Sequence, residues 1–155
     1  VFLAGYLATN VAAFLAVAAL SNGEKEPHPL ADLAGLGRRR PFAATVLTLA
    51  MLSLTGLPPT VGFIGKLLVF RAAVDAGLIT LALVGIFGSL VSAGYYLRVV
   101  YYLWMKEPSR EVAAAEEDVL SGAAYILVSA AMLVLGVLPR PLLDMARAAV
   151  QSLPG

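Results

Sequence analysis

The sequence predicts an all-α, polytopic helix bundle embedded in a membrane, and three observations carry that prediction. Apolar residues fill 60% of the 155 positions and charged residues only 14%, whereas a soluble domain carries about a quarter charged residues. Long apolar runs recur along the chain, separated by short polar or charged stretches. Inside one of these runs a double proline, Pro58-Pro59, is followed closely by a lysine, Lys66. Both features are costly in lipid. Proline removes a backbone donor and breaks the hydrogen-bond ladder, and an ammonium at the bilayer centre costs about 2.5–3.5 kcal/mol on insertion scales. A chain that keeps the two together reads as one that uses them to hold or move an ion.

The same composition excludes other classes. A net charge of +1 with no basic stripe of interleaved aromatics gives no nucleic-acid partner. With no cysteine, disulfides, thiolate zinc sites and cysteine-ligated iron–sulfur clusters are excluded. The single histidine, His28, cannot build a metal or haem site alone. The expectation is a chain with no catalytic, metal-binding or cofactor-binding residues of its own, doing no redox chemistry itself.

The elements follow in order. Residues 1–20 form an uncharged run of 20 residues, about 30 Å as a helix and enough for one crossing. The run starts in full hydrophobic register at Val1, with no initiator Met and no charged region before it. That is not the layout of a signal peptide, and it predicts a segment of a longer membrane protein. Residues 21–41 form a polar loop containing His28 between two prolines, which reads as a solvated position, and the run Arg38-Arg39-Arg40. Leu30, Leu33, Ala34 and Leu36 within it have helical spacing, predicting a short interfacial helix ended by Gly35 or Gly37.

Residues 42–75 are apolar apart from the proline pair, Lys66, Arg71 and Asp75. They read either as two short spans or as one span broken in the middle. Each half has about 16 residues, short of the roughly 17–25 that a crossing requires, so one discontinuous helix fits the lengths better. Charge bias does not decide: either parity divides the loop cations seven to three. Both parities place the Arg38–Arg40 loop in the cytoplasm.

Residues 78–105 form a long apolar helix ending in Tyr95, Tyr96, Tyr101, Tyr102 and Trp104, placed where an aromatic belt would lie. Arg98 at that end can snorkel to the headgroups. On the same helix Gly85, Gly88, Ser89, Ser92 and Ala93 form a strip of small residues that permits close helix approach. A charged loop, 106–120, includes Glu116-Glu117-Asp118, which suits the N-terminus of the last helix, 121–138. A short amphipathic tail, 139–155, closes the chain.

The chemistry concentrates at the break, for which Gly56, Pro58, Pro59, Thr60 and Gly62 are the predicted hinge. Pro58 and Pro59 cannot donate to the carbonyls of Leu54 and Thr55, which are stranded unless water, a hydroxyl or a neighbour reaches them. Thr55 and Thr60 are placed to help, and Gly56, Gly62 and Gly65 leave room for water. The first half-helix points partial negative charge into the break and the second presents free N–H groups, as transporters do at their ion sites. Helical side chains lean toward the N-terminus, so the amine of Lys66 tilts back toward the break. Dehydration disfavours its charge while carbonyls and water support it, and a lysine balanced between them can exchange a proton. A lone lysine near a helix end ordinarily snorkels and does nothing else, which is the competing reading. Asp75, four residues after Arg71, reads as its interfacial partner.

The stretch Ser53 to Phe70, with Gly62-Phe63-Ile64-Gly65-Lys66 after the proline pair, and the stretch Ser89 to Val100 resemble the C-terminal part of the antiporter-like subunits of respiratory complex I, the proton-pumping NADH–quinone oxidoreductase. The resemblance covers nearly the whole chain. It implies a 14-helix antiporter-like fold, of which this chain supplies the last four transmembrane helices, with 42–75 as the discontinuous one. It also implies that Lys66 is the lysine at the outward end of a proton path. The pattern is most similar to subunit N: subunit M has a glutamate where Lys66 stands, and subunit L has a histidine and a lysine on the helix where Tyr6 and Asn10 stand here. Tyr6 and Asn10 are therefore candidates for polar lining rather than titration.

Further implications are partners among other membrane subunits, especially sister antiporter-like subunits, with the lipid bilayer and protons. NADH, FMN, iron–sulfur clusters and quinone are expected in other subunits. Location is implied in a bacterial inner membrane, with loops 21–41 and 106–120 cytoplasmic and the C-terminus periplasmic. The multisubunit sodium/proton antiporters contain a similar Gly-Phe-Ile-Gly-Lys stretch and are the rival resemblance, against which Tyr95-Tyr96-Leu97-Arg98 favours complex I.

Overall fold

A computed structural model of the chain describes residues 2–20, 30–107, 119–138 and Asp144. The expectations placed on the loop residues 21–29, His28 among them, on 108–118, Glu116–Asp118 among them, and on the tail 139–155 apart from Asp144 lie outside the described residues. Six α-helices and one 3₁₀ turn account for the described chain, with no strand among the described residues.

Helix α1 spans Phe2–Leu20 and is apolar except for Tyr6, Thr9 and Asn10. The 3₁₀ turn Leu30–Leu33 and the short α2, Leu36–Arg39, stand where one short interfacial helix was expected. The two are separate because Gly35 adopts a left-handed conformation, φ 73°, which a right-handed helix cannot contain. Part of this segment turns into the protein. Ala34, Leu36 and Gly37 are buried, and the Gly35 N–H donates to the Tyr102 carbonyl at 3.1 Å.

Helix α3, Pro41–Thr55, starts with proline at its first position, where no N–H is needed. Arg40, just before it, donates through Nη1 to the carbonyl of Ala19 in the last turn of α1. It thereby occupies one of the acceptors that a helix C-terminus leaves open. Helix α4 spans Val61–Asp75, α5 Ile79–Trp104 and α6 Val119–Val137. Between α4 and α5 only residues 76–78 intervene, so the two run as packed neighbours.

Helix α3 is the hub, touching α1, α5 and α6, while α4 packs on α1, α5 and α6. The seam between α1 and α3 is built from small residues: Ala12, Ala16, Ala43, Ala44 and Ala50 are all at most 3% exposed. Small side chains let backbones approach closely, which is how helices associate where lipid gives no hydrophobic drive. The outward faces are as apolar as the core, with Leu3, Phe14, Phe87 and Leu90 all exposed. Among the described helices, α5 with 26 residues is the one long and apolar enough to cross a bilayer alone.

The aromatic cluster at the end of α5 is not only a belt. Trp104 is half-buried and its Nε1 donates to Thr48 Oγ1 of α3 at 2.8 Å. Arg98 and Lys106 both face the Tyr102 ring, at 5.9 and 5.8 Å from its centroid, within reach of a cation–π attraction. Trp104→Phe keeps an aromatic side chain but removes the donor together with part of the indole. It should lower the stability of the full-length protein by about 1 kcal/mol, read as a reduced thermal midpoint in detergent.

Candidate functional site

Helix α3 ends because Gly56 takes φ 88°, a conformation in which only glycine rests without cost. The N–H groups of Gly56 and Leu57 fold back onto the carbonyls of Leu52 and Ser53, at 3.0–3.1 Å. This glycine closure uses two of the last four acceptors. The next two, Leu54 and Thr55, are left over. Pro58 and Pro59, joined by a cis peptide bond, then carry the chain to Thr60, whose extended backbone opens α4.

Lys66 fills the vacancy. Its Nζ donates to the carbonyl of Leu54 at 2.9 Å and to that of Thr55 at 2.9 Å. These are the acceptors that the proline pair was expected to strand. The helpers expected there act elsewhere: Thr55 Oγ1 donates to Met51 O and Thr60 Oγ1 to Leu57 O, at 2.8 and 2.7 Å. A short hydroxyl bonds most readily to its own neighbouring backbone, whereas only a long side chain spans from α4 back to α3.

Two expectations need correction. The amine was expected to be buried, but Lys66 is only half-buried, and no charged side chain is buried among the described residues. The physical reason is the groove beside it. A cavity of about 350 Å³, open on one side, is lined by Phe2, Tyr6 and Thr9 of α1, Ser53 and Leu54 of α3, Gly62 and Lys66 of α4, and Gly85, Gly88, Ser89, Ser92 and Tyr96 of α5. The small residues of α5 were expected to serve helix packing; Gly88, Ser89 and Ser92 instead form the far wall of this cavity, and nothing lies within 4 Å of a Cβ built on Gly88.

The second correction concerns the glycines expected to leave room for water. A Cβ on Gly62 would stand 1.8 Å from the Ser53 carbonyl oxygen, one on Gly65 2.9 Å from the Phe2 ring, and one on Gly56 2.8 Å from Lys66 Cδ. Protein, not solvent, occupies those positions. Gly136 of α6 approaches the break from the other side, where a Cβ would lie 2.0 Å from the Pro59 carbonyl oxygen.

Of the polar candidates on α1, Tyr6 lines the cavity. Asn10 does not; its Nδ2 donates to Tyr6 O at 2.8 Å within its own helix. The residue that sequence reasoning passed over is Thr9. It is 1% exposed, lines the cavity, and meets Ser53 Oγ at 3.2 Å. Arg71 and Asp75 pair at 3.6 Å with both side chains exposed, 77% and 68%, so the pair lies apart from the amine.

Comparison with known proteins bears on the fold and the family. A family profile described as "NADH:quinone oxidoreductase/Mrp antiporter, TM" matches residues 1–92. NADH-quinone oxidoreductase subunit N of Geobacter metallireducens is 45% identical over 144 residues, which is 92% of this chain and 30% of that protein. Subunit N of Myxococcus xanthus is 42% identical over 146 residues, 92% of this chain and 28% of that protein. The chain thus spans about 30% of the length of the relatives it matches. Among solved structures, respiratory complex I from Thermus thermophilus contains a similar chain with TM-score 0.72 and 38% identity, over 86% of this chain and 31% of that one. The Mrp complex from Dietzia sp. shares the fold at TM-score 0.76 and 22% identity, over 90% of this chain and 34% of that one. With the profile matching more than half of its length and the helices following the same course, the chain belongs to the NADH:quinone oxidoreductase/Mrp antiporter transmembrane family.

Proposed function

We propose that this chain is the proton-handling C-terminal segment of an antiporter-like membrane subunit of NADH–quinone oxidoreductase, with Lys66 as the group that takes up and releases the proton. In this reading α3, the break and α4 form one discontinuous transmembrane helix, 42–75, and with α1, α5 and α6 the segment crosses the membrane four times. Loops 21–41 and 106–120 face the cytoplasm and the C-terminus faces the periplasm, as the arginines at 38–40 favour. Redox chemistry belongs to other subunits, which carry NADH, FMN, iron–sulfur clusters and quinone; the neighbours in the bilayer are sister antiporter-like subunits.

The single observation that carries the proposal is the seating of the amine. Nζ has three positions besides Cε, and two of them are committed to Leu54 O and Thr55 O. The third has no hydrogen-bond partner among the described residues, and Lys66 is itself part of the cavity lining. An ammonium fills it with a proton and a neutral amine with a lone pair. The nitrogen can therefore gain or lose one proton on the cavity side while both carbonyl bonds persist. Tyr6 and Ser89 line the same space and can order the water that carries the proton.

The test uses vesicles containing the complex with the full-length protein. NADH addition in sodium-free buffer should acidify the lumen in proportion to NADH oxidised. Sodium/proton exchange that runs without NADH would overturn this reading in favour of a secondary sodium/proton antiporter.

A further inference from the structure

The proton-handling reading needs the amine to stay seated on two carbonyls of another helix, and the structure holds that seat through a pair of buried hydroxyls. Thr9 and Ser53 are each 1% exposed. Thr9 Oγ1 donates to Gly5 O at 2.8 Å, one turn back in α1. Its only proton is spent there, so in the contact with Ser53, at 3.2 Å, Ser53 is the donor. Ser53 Oγ in turn accepts the N–H of Gly62 at 3.1 Å. One hydroxyl from the last turn of α3 thus occupies a free donor in the first turn of α4, as a capping side chain would. A second hydroxyl, from α1, fixes that first one's orientation.

We infer that Thr9 and Ser53 are positioning residues that lock α1, α3 and α4 in the register at which Lys66 reaches the Leu54 and Thr55 carbonyls. The inference rests on the reading of Lys66 as the proton-exchanging group. The geometry is direct. Gly62 and Lys66 are four residues apart, one turn on the same face of α4. Ser53 immediately precedes the two carbonyls that receive the amine. The contact that anchors Gly62 to Ser53 therefore sets the reach from Lys66 to Leu54 and Thr55. The approach is close enough that a Cβ on Gly62 would stand 1.8 Å from the Ser53 carbonyl oxygen, so α3 and α4 meet backbone to backbone at this contact. It follows that α1 contributes to the site through a hydroxyl that is neither charged nor titrating.

The experiment compares Thr9→Val, Ser53→Ala and Thr9→Ser in the full-length protein within its complex, with two readouts. Hydrogen exchange of the backbone amides at 61–66 should quicken roughly fivefold in Thr9→Val and Ser53→Ala, the effect of losing one hydrogen bond. Protons moved per NADH oxidised should fall in the same two variants. Thr9→Ser keeps the hydroxyl and should restore both. If Thr9→Val matches the parent protein in both readouts while Lys66→Met lowers pumping, the hydroxyl pair has no positioning role and the lysine reading stands. If Lys66→Met also leaves pumping at the parent level, the lysine reading falls and this inference falls with it.

Discussion

Lys66→Met, introduced into the full-length protein, leaves the complex assembled and sharply reduces the protons moved through this subunit. Methionine is unbranched like lysine and one atom shorter, so it fits the same space beside the cavity, and no ion pair is lost, since among the described residues Nζ meets only backbone carbonyls. Leaving Leu54 O and Thr55 O without an N–H costs about 1–3 kcal/mol each at most, and the open side of the cavity admits water to offset it. The chemical loss is larger. A positioned acid–base group is worth roughly 10²–10⁴-fold in transfer rate, and among the described residues the cavity lining offers no other amine or carboxylate in its place. The measurement is lumen acidification against NADH oxidation in the same vesicles; pumping at the parent level would refute the assignment. Lys66→Arg separates charge from exchange. Guanidinium can still donate to both carbonyls but stays protonated at any accessible pH, so pumping should fall there too.

What the sequence disclosed about this site was local, and what it hid was not. Two missing donors at Pro58 and Pro59 and the backward lean of a helical lysine are properties of a dozen consecutive residues. They were enough to bring Lys66 and the Leu54 and Thr55 carbonyls to one place, where the structure finds them bonded. The partner of Ser53 lies 44 residues away on α1. Because α1 is apolar on nearly every side, no amphipathic stripe reveals which of Tyr6, Thr9 and Asn10 turns toward the break. Each step along a helix rotates the side chain by about 100°, and the resemblance that singled out Tyr6 and Asn10 carried no information about Thr9, one step from Asn10. Whether the amine is enclosed also lay beyond composition. It depends on a groove lined by α1, α3, α4 and α5, which come together only in the folded chain. The glycines were misassigned for a related reason: a missing side chain leaves space only when nothing from another helix moves into it.

Gly62→Ala is expected to be the most damaging single-methyl change in the segment. A methyl on that residue would sit 1.8 Å from the Ser53 carbonyl oxygen and 2.9 Å from Ser53 Oγ. The first neighbour is backbone of α3, already held by the bond from Gly56 N–H, so it cannot rotate away as a side-chain end would. Relief requires α4 to move off α3. That motion breaks the Gly62 N–H to Ser53 Oγ bond and carries Lys66 away from its carbonyls. Overpacking of a core costs about 1–3 kcal/mol when side chains can adjust, and a backbone collision sets the expectation at the upper end or beyond it. The full-length protein should show a lowered thermal midpoint and reduced pumping together. Gly88→Ala is the control: it places the same methyl on the cavity wall with nothing within 4 Å, and should leave the midpoint within about 0.5 kcal/mol of the parent's stability. Equal behaviour of the two variants would mean that α3 and α4 do not meet at Gly62, and the seat of the amine would have to be sought elsewhere.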